Sequence, residues 1–108
     1  MEQNLKNENS YCPVSKTLSF IGGRWKVVIL FYLQNGKRRF GEIAARIPNI
    51  SRKVLTEQLK ELEADGLIQR EYFKEIPPRV EYSITTLGLS LNNVLKEMEN
   101  WGVQNKNL

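Results

Sequence analysis

Few side chains in this 108-residue chain are equipped for chemistry. There is no histidine, a single cysteine, Cys12, and a single aspartate, Asp65. No cluster has metal-ligand spacing, no glycine-rich loop could cradle a phosphate, and Gly22-Gly23 lacks the dinucleotide fingerprint. Glu57 shares a polar helical face with Lys53 and Lys60, where solvated charge is expected rather than acid–base work. The sequence therefore predicts no catalytic residues, no metal, no cofactor and no enzyme. What it offers is hydrogen-bond donors and positive charge gathered in one place: Ser51, Arg52, Lys53 and Thr56.

These four open the most fully specified helix of the chain, which runs to Gly66. Ser51 can cap it with its hydroxyl, and Ile50 and Leu55 are spaced for a hydrophobic staple. Gly66 supplies the stop, a left-handed residue that glycine adopts without strain. At 100° per residue Leu55, Leu59 and Leu62 share one narrow face, Lys53, Glu57 and Lys60 point away from it, and Arg52 and Thr56 flank them. The charges run against the helix macrodipole, with Arg52 and Lys53 in the first turn and Glu61, Glu63 and Asp65 in the last. Selection for helix stability alone would reverse that order, each placement being worth roughly 0.3 to 1 kcal/mol. Positive charge at this end points to an outside anion, of which a phosphate backbone is the simplest.

Length and composition set the frame. The chain suits one domain with a modest core, expected at residues 11–108 behind a polar tail at 1–10. A hydrophobic content of 41% with 26% charged residues is ordinary for a globular domain. The longest apolar run, Val27 to Leu33, falls far short of the ~18 residues of a membrane span, and the polar first ten residues hold no signal peptide. A cytoplasmic protein with no membrane partner is expected. The net charge of +4 and pI near 9.3 become informative through their distribution. From Lys37 to Thr56 the bases face the single acid Glu42, and from Glu57 to Glu71 acids outnumber Lys60 and Arg70.

The remaining elements follow from periodicity. Cys12-Pro13 opens a helix that carries Val14, Leu18 and Ile21 on one face and breaks at Gly22-Gly23. Trp25 to Leu33 reads as a buried helix ended by Asn35-Gly36, and Lys37-Arg38-Arg39 as a short basic connection. Phe40, Ile43, Ala44 and Ile47 repeat at helical spacing until Pro48-Asn49. Two short helices joined by Ile47-Pro48-Asn49-Ile50 form a helix-turn-helix, whose second helix would present its first residues to the major groove. Residues 67–73 and 79–84 alternate as two strands joined by 74–78, a wing with Lys74 and Arg79 able to reach phosphates. Thr85 or Thr86 then caps one last helix to about Gln104. On it Leu87, Leu91, Val94, Met98 and Trp101 step by four and three, with Leu95 widening the seam. A subunit interface is expected there, because Trp101 so near the end is hard to bury in a small domain.

The fold class expected is α+β, mostly α: a winged helix-turn-helix with a C-terminal dimerisation helix, to which the family resemblance given below adds the N-terminal one. Arg52, Lys53 and Thr56 would read the groove of double-stranded DNA, Ser51 and Arg39 would grip phosphates, and Lys74 and Arg79 would anchor the wing. Two rivals belong beside this reading. One is a winged helix module that docks an acidic protein without specific DNA binding. The other is an RNA-binding module, for which Tyr72, Phe73 and Tyr82 would have to be exposed for stacking; core packing is the use expected of them.

The segments Cys12-Pro13-Val14, Ile21-Gly22-Gly23-Arg24-Trp25-Lys26, Arg38-Arg39-Phe40-Gly41-Glu42, Leu55 to Leu67 and Pro77-Pro78-Arg79-Val80-Glu81-Tyr82 resemble the HxlR-type family of bacterial winged helix-turn-helix regulators, relatives of the MarR group. The likeness spans residues 12 to about 103. It implies a homodimer on operator DNA, joined through its terminal helices, with room for a small-molecule or oxidant effector. It also implies that Cys12 is a candidate redox or electrophile sensor. Independently, a thiol at a helix cap faces unpaired backbone donors, which favour the thiolate, and Lys16 would add to this if it folded back.

Overall fold

A computed structural model describes residues 11–108, so the expected tail at 1–10 lies outside the described residues. Helix α1 (Pro13–Ile21) starts on its proline after an extended Cys12 and ends where the Gly22 N–H donates to Leu18 O at 2.7 Å. A Cβ at Gly22 would stand 2.5 Å from that same oxygen, so the turn requires glycine. Helix α2 (Lys26–Leu33) is the buried helix expected, with Ile29, Leu30 and Leu33 fully enclosed. Strand β1 (Arg38–Arg39), helix α3 (Phe40–Arg46) and helix α4 (Arg52–Ala64) follow. Strands β2 (Ile68–Phe73) and β3 (Arg79–Ile84), then helices α5 (Thr86–Leu89) and α6 (Asn92–Gln104), complete the described chain.

Leu55, Leu59 and Leu62 of α4 sit at 0–1% exposure and join Leu30, Leu33, Ile43, Leu67 and Ile68 in one core. The stop of α4 is the one its glycine foretold. Gly66 has φ +77°, its N–H donates to Glu63 O, and the Leu67 N–H reaches back to Leu62 O at 3.0 Å. That paired closure leads directly into β2.

Two expectations change. Arg38 and Arg39 do not merely connect: they pair antiparallel with β3, Arg38 opposite Tyr82 and Arg39 opposite Glu81. The sheet order is β1-β3-β2, so β3 is central and α3 is tied to the hairpin. The terminal helix is also two helices. Thr85 caps α5, its Oγ1 accepting from the Gly88 N–H at 3.0 Å. The chain turns at Ser90-Leu91 before α6 begins.

Candidate nucleic-acid interface

The turn between α3 and α4 reverses at Asn49, which takes φ +71°, a conformation asparagine tolerates better than most residues. Ser51 then caps α4 as expected, its Oγ accepting from the Val54 N–H at 3.1 Å. Half-buried Ile50 and buried Leu55 stand at the staple positions. Ser51, Arg52, Lys53 and Thr56 all emerge exposed at this end. Arg39 lies exposed at the cap of α3, and its N–H donates to Glu42 Oε1 at 2.8 Å.

Among the described residues Lys26 pairs with Glu61 at 2.7 Å and Lys37 with Glu71 at 3.7 Å, whereas Arg39, Arg46, Arg52 and Lys53 enter no ion pair. The α4 N-terminus therefore carries uncompensated positive charge, and its acidic C-terminal half is partly engaged with α2. Arg52 lies over the Phe40 ring, 5.1 Å from its centroid. An open cleft between α4 and the hairpin is lined by Thr56, Lys60, Glu63, Arg70 and Tyr82. It brings Lys60 and Arg70 toward the same side as Thr56, two bases that sequence reasoning left among solvated charges.

In the wing, Lys74 is exposed at the start of the tip. Arg79 is engaged from three sides. Its Nε donates to Glu81 Oε2 at 2.9 Å, its Nη1 binds Glu75, and its guanidinium sits 4.0 Å from the centre of the Phe73 ring. These contacts give it a structural role in the free protein. Arg79→Ala should accordingly speed amide exchange across the Phe73–Arg79 end of the hairpin, as read by hydrogen–deuterium exchange; unaltered exchange there would count against that role. The aromatic expectation holds in part, because Tyr82 is buried and Phe73 half-buried but Tyr72 is exposed on edge strand β2. One exposed ring is not a stacking platform.

The expected seam divides. Leu95, at 3% exposure, belongs to the protomer's own core, and half-buried Leu91 packs against that core. Leu87, on α5, lines a groove with Lys16, Phe20 and Leu67. Val94, Met98 and Trp101 are exposed, Trp101 at 63%. Val94 and Met98 form one wall of an apolar groove whose other wall is Val14 and Leu18 of α1, floored by Val27. Val14 and Leu18 lie on the helical face expected from their i, i+4 spacing, on the N-terminal helix that the family resemblance brings to the dimer contact.

Cys12 is half-exposed at the start of α1. The Ser15 amide, then the Ser15 hydroxyl, then the Val14 amide hold its thiol below the ordinary value, although none closes a full capping hydrogen bond. Lys16 does not fold back, since its Nζ sits over the Phe20 ring at 5.4 Å. The thiolate fraction should therefore be raised at neutral pH and fall as pH drops through the lowered pKa. Ser15→Ala removes the hydroxyl but keeps the amide, so it should move the alkylation profile part of the way toward higher pH, measured by iodoacetamide labelling; an unmoved profile would remove the hydroxyl from this account and leave the two amides.

A tri-helical core with a basic second motif helix and an adjoining antiparallel hairpin is the winged helix-turn-helix arrangement. Residues 20–108 match the family model described as HxlR-like helix-turn-helix. The Bacillus subtilis HTH-type transcriptional regulator YdeP is 48% identical over 95 residues, covering 88% of this chain and 74% of that one. The redox regulator HypR in its oxidized form superposes with a TM-score of 0.86 at 43% identity, covering 90% of this chain and all of that one. The reduced form of the B. subtilis regulator YodB gives a TM-score of 0.74 at 39% identity, covering 89% and 95%. The chain belongs to the HxlR-like helix-turn-helix family and is a transcriptional regulator with this fold, not an enzyme. No helix among the described residues is long and apolar enough to cross a membrane.

Proposed function

We propose that the protein is a homodimer that binds operator DNA sequence-specifically, with the first turn of α4 in the major groove. The observation that carries this reading is the uncompensated charge at that turn, held in a helix-turn-helix whose hairpin is fixed to α3 through β1. Arg52, Lys53 and Thr56 face the base edges, while Ser51, Arg39 and Lys74 contact phosphates. Arg79 shapes the wing and becomes a phosphate contact only by exchanging its glutamate partners. The exposed apolar groove of α1 and α6 supports the dimer, which would present two recognition helices to two half-sites.

Selection of bound fragments from random duplexes tests the whole reading, and a palindromic consensus with half-sites one helical turn apart is expected. Arg52→Ala should then cost ~1 to 3 kcal/mol of discrimination at one base pair, and Lys74→Ala should weaken all sequences alike. Selected pools without any consensus, or equal affinity for unrelated polyanions at ~150 mM salt, would instead favour a protein-docking module.

Cys12 is the proposed input for an oxidant or electrophile. Its lowered thiol supports this, as does the similarity to proteins described as a redox regulator and as diamide-treated YodB. Operator affinity of the wild type, before and after mild diamide, decides the matter when set beside Cys12→Ser.

A further inference from the structure

The first turn of α4 offers three groove-facing side chains, and one of them is held from behind. Arg52 lies over the ring of Phe40, which opens α3 and packs half-buried against the core. Three other cations sit over rings among the described residues, Lys16 on Phe20, Arg24 on Trp25 and Arg79 on Phe73, and none of those pairs joins α3 to α4. A contact through the π-face is electrostatic and consumes none of the guanidinium's five N–H donors. The edge of Arg52 thus stays available as a fork, the geometry that guanine O6 and N7 accept. Lys53 is exposed without such a ring, and its ammonium is a point charge that has no fork.

We propose that Phe40 is a positioning residue that holds the Arg52 guanidinium for a guanine edge in the major groove, making Arg52 the base-reading side chain of α4. The inference rests on the DNA-binding reading above. The ring can aim Arg52 because its own backbone is anchored. Phe40 follows directly on β1, whose Arg39 pairs with Glu81 of β3, and the Arg39 N–H is bound by Glu42. Helix α3 would then set the direction of the reading side chain as well as support the helix that carries it.

The probe is the selected duplex and its set of single base-pair variants. Phe40→Leu should reduce discrimination by about two- to five-fold at the one position that Arg52→Ala relaxes, with the salt slope of binding unchanged. Phe40→Tyr should retain it. Pentafluorophenylalanine at position 40 keeps the shape and reverses the ring quadrupole, so it should reproduce the loss in a protein that melts like the wild type. Wild-type discrimination at that position in both the leucine and the fluorinated variants, or an equal loss on every duplex, would overturn the proposal. A wild-type protein without preference for its own selected duplexes would overturn the DNA-binding reading, and this inference with it.

Discussion

Met98→Asp should split the proposed dimer and lower affinity for a two-half-site operator by more than about a hundredfold, while each protomer stays folded. In the isolated protomer Met98 is exposed beside the groove of α1 and α6, so a carboxylate there remains hydrated and costs little. In a two-fold dimer built on that groove the same carboxylate is removed from water in both subunits, at several kcal/mol each. Factors of ten follow at ~1.4 kcal/mol apiece. Sedimentation should show a monomer that unfolds cooperatively at a midpoint independent of concentration and below that of the dimer only by the lost association, and anisotropy should show single half-site affinity close to that of the wild-type protomer. A variant that sediments like the wild type would move the interface elsewhere on the surface.

Gly88→Ala should be the most damaging small change to the fold. Gly88 is buried under the hairpin, where a Cβ would stand 2.3 Å from Leu67 O and 2.5 Å from Ile84 Cγ1. The isoleucine could turn aside, but the carbonyl is fixed because it accepts the Thr85 N–H at 3.1 Å. Relief requires α5 to lift away from the sheet, a cost at the upper end of overpacking, about 3 kcal/mol. The melting midpoint should fall by on the order of 10 °C or more. Gly41→Ala is the control: nothing lies within 4 Å of that Cβ, and loss of unfolded-state freedom should leave stability equal or raised by ~0.4 to 1 kcal/mol. Similar midpoints for the two variants would contradict the packing described for α5.

The parts legible in sequence were those governed by local rules. Ser51, the leucine face and Gly66 each act within a few residues of themselves, and α4 came out as its spacing said. Strand β1 did not, because two adjacent arginines carry no alternation and strand identity came entirely from β3, more than forty residues away. The break at Ser90-Leu91 was hidden for the opposite reason. The four-and-three stepping of Leu87 to Trp101 continues across it, although Leu95 turns inward and Val94, Met98 and Trp101 turn outward. At the candidate interface the free charges of α4 were readable as a run. That Arg79 would be claimed by Glu75 and Glu81 depends on hairpin geometry, and that Arg52 would meet Phe40 depends on the turn at Asn49.

Strand β1 also sets where the chain tolerates a change of length. Arg38 turns inward and donates through Nε to Tyr32 O at 3.4 Å, Arg39 turns outward, and α3 starts at the next residue with no slack between them. An extra residue in the Asn35-Gly36 turn only lengthens an exposed loop, for which the entropic cost is slight. One inserted between Arg39 and Phe40 would rotate α3 by about 100° against the sheet. The leucine core would resist that rotation, and whatever residue then replaced Phe40 beneath Arg52 would no longer be chosen by the fold. The two-residue strand is a phase lock between wing and motif, so insertions in this region should be tolerated on its upstream side and not between Arg39 and Phe40.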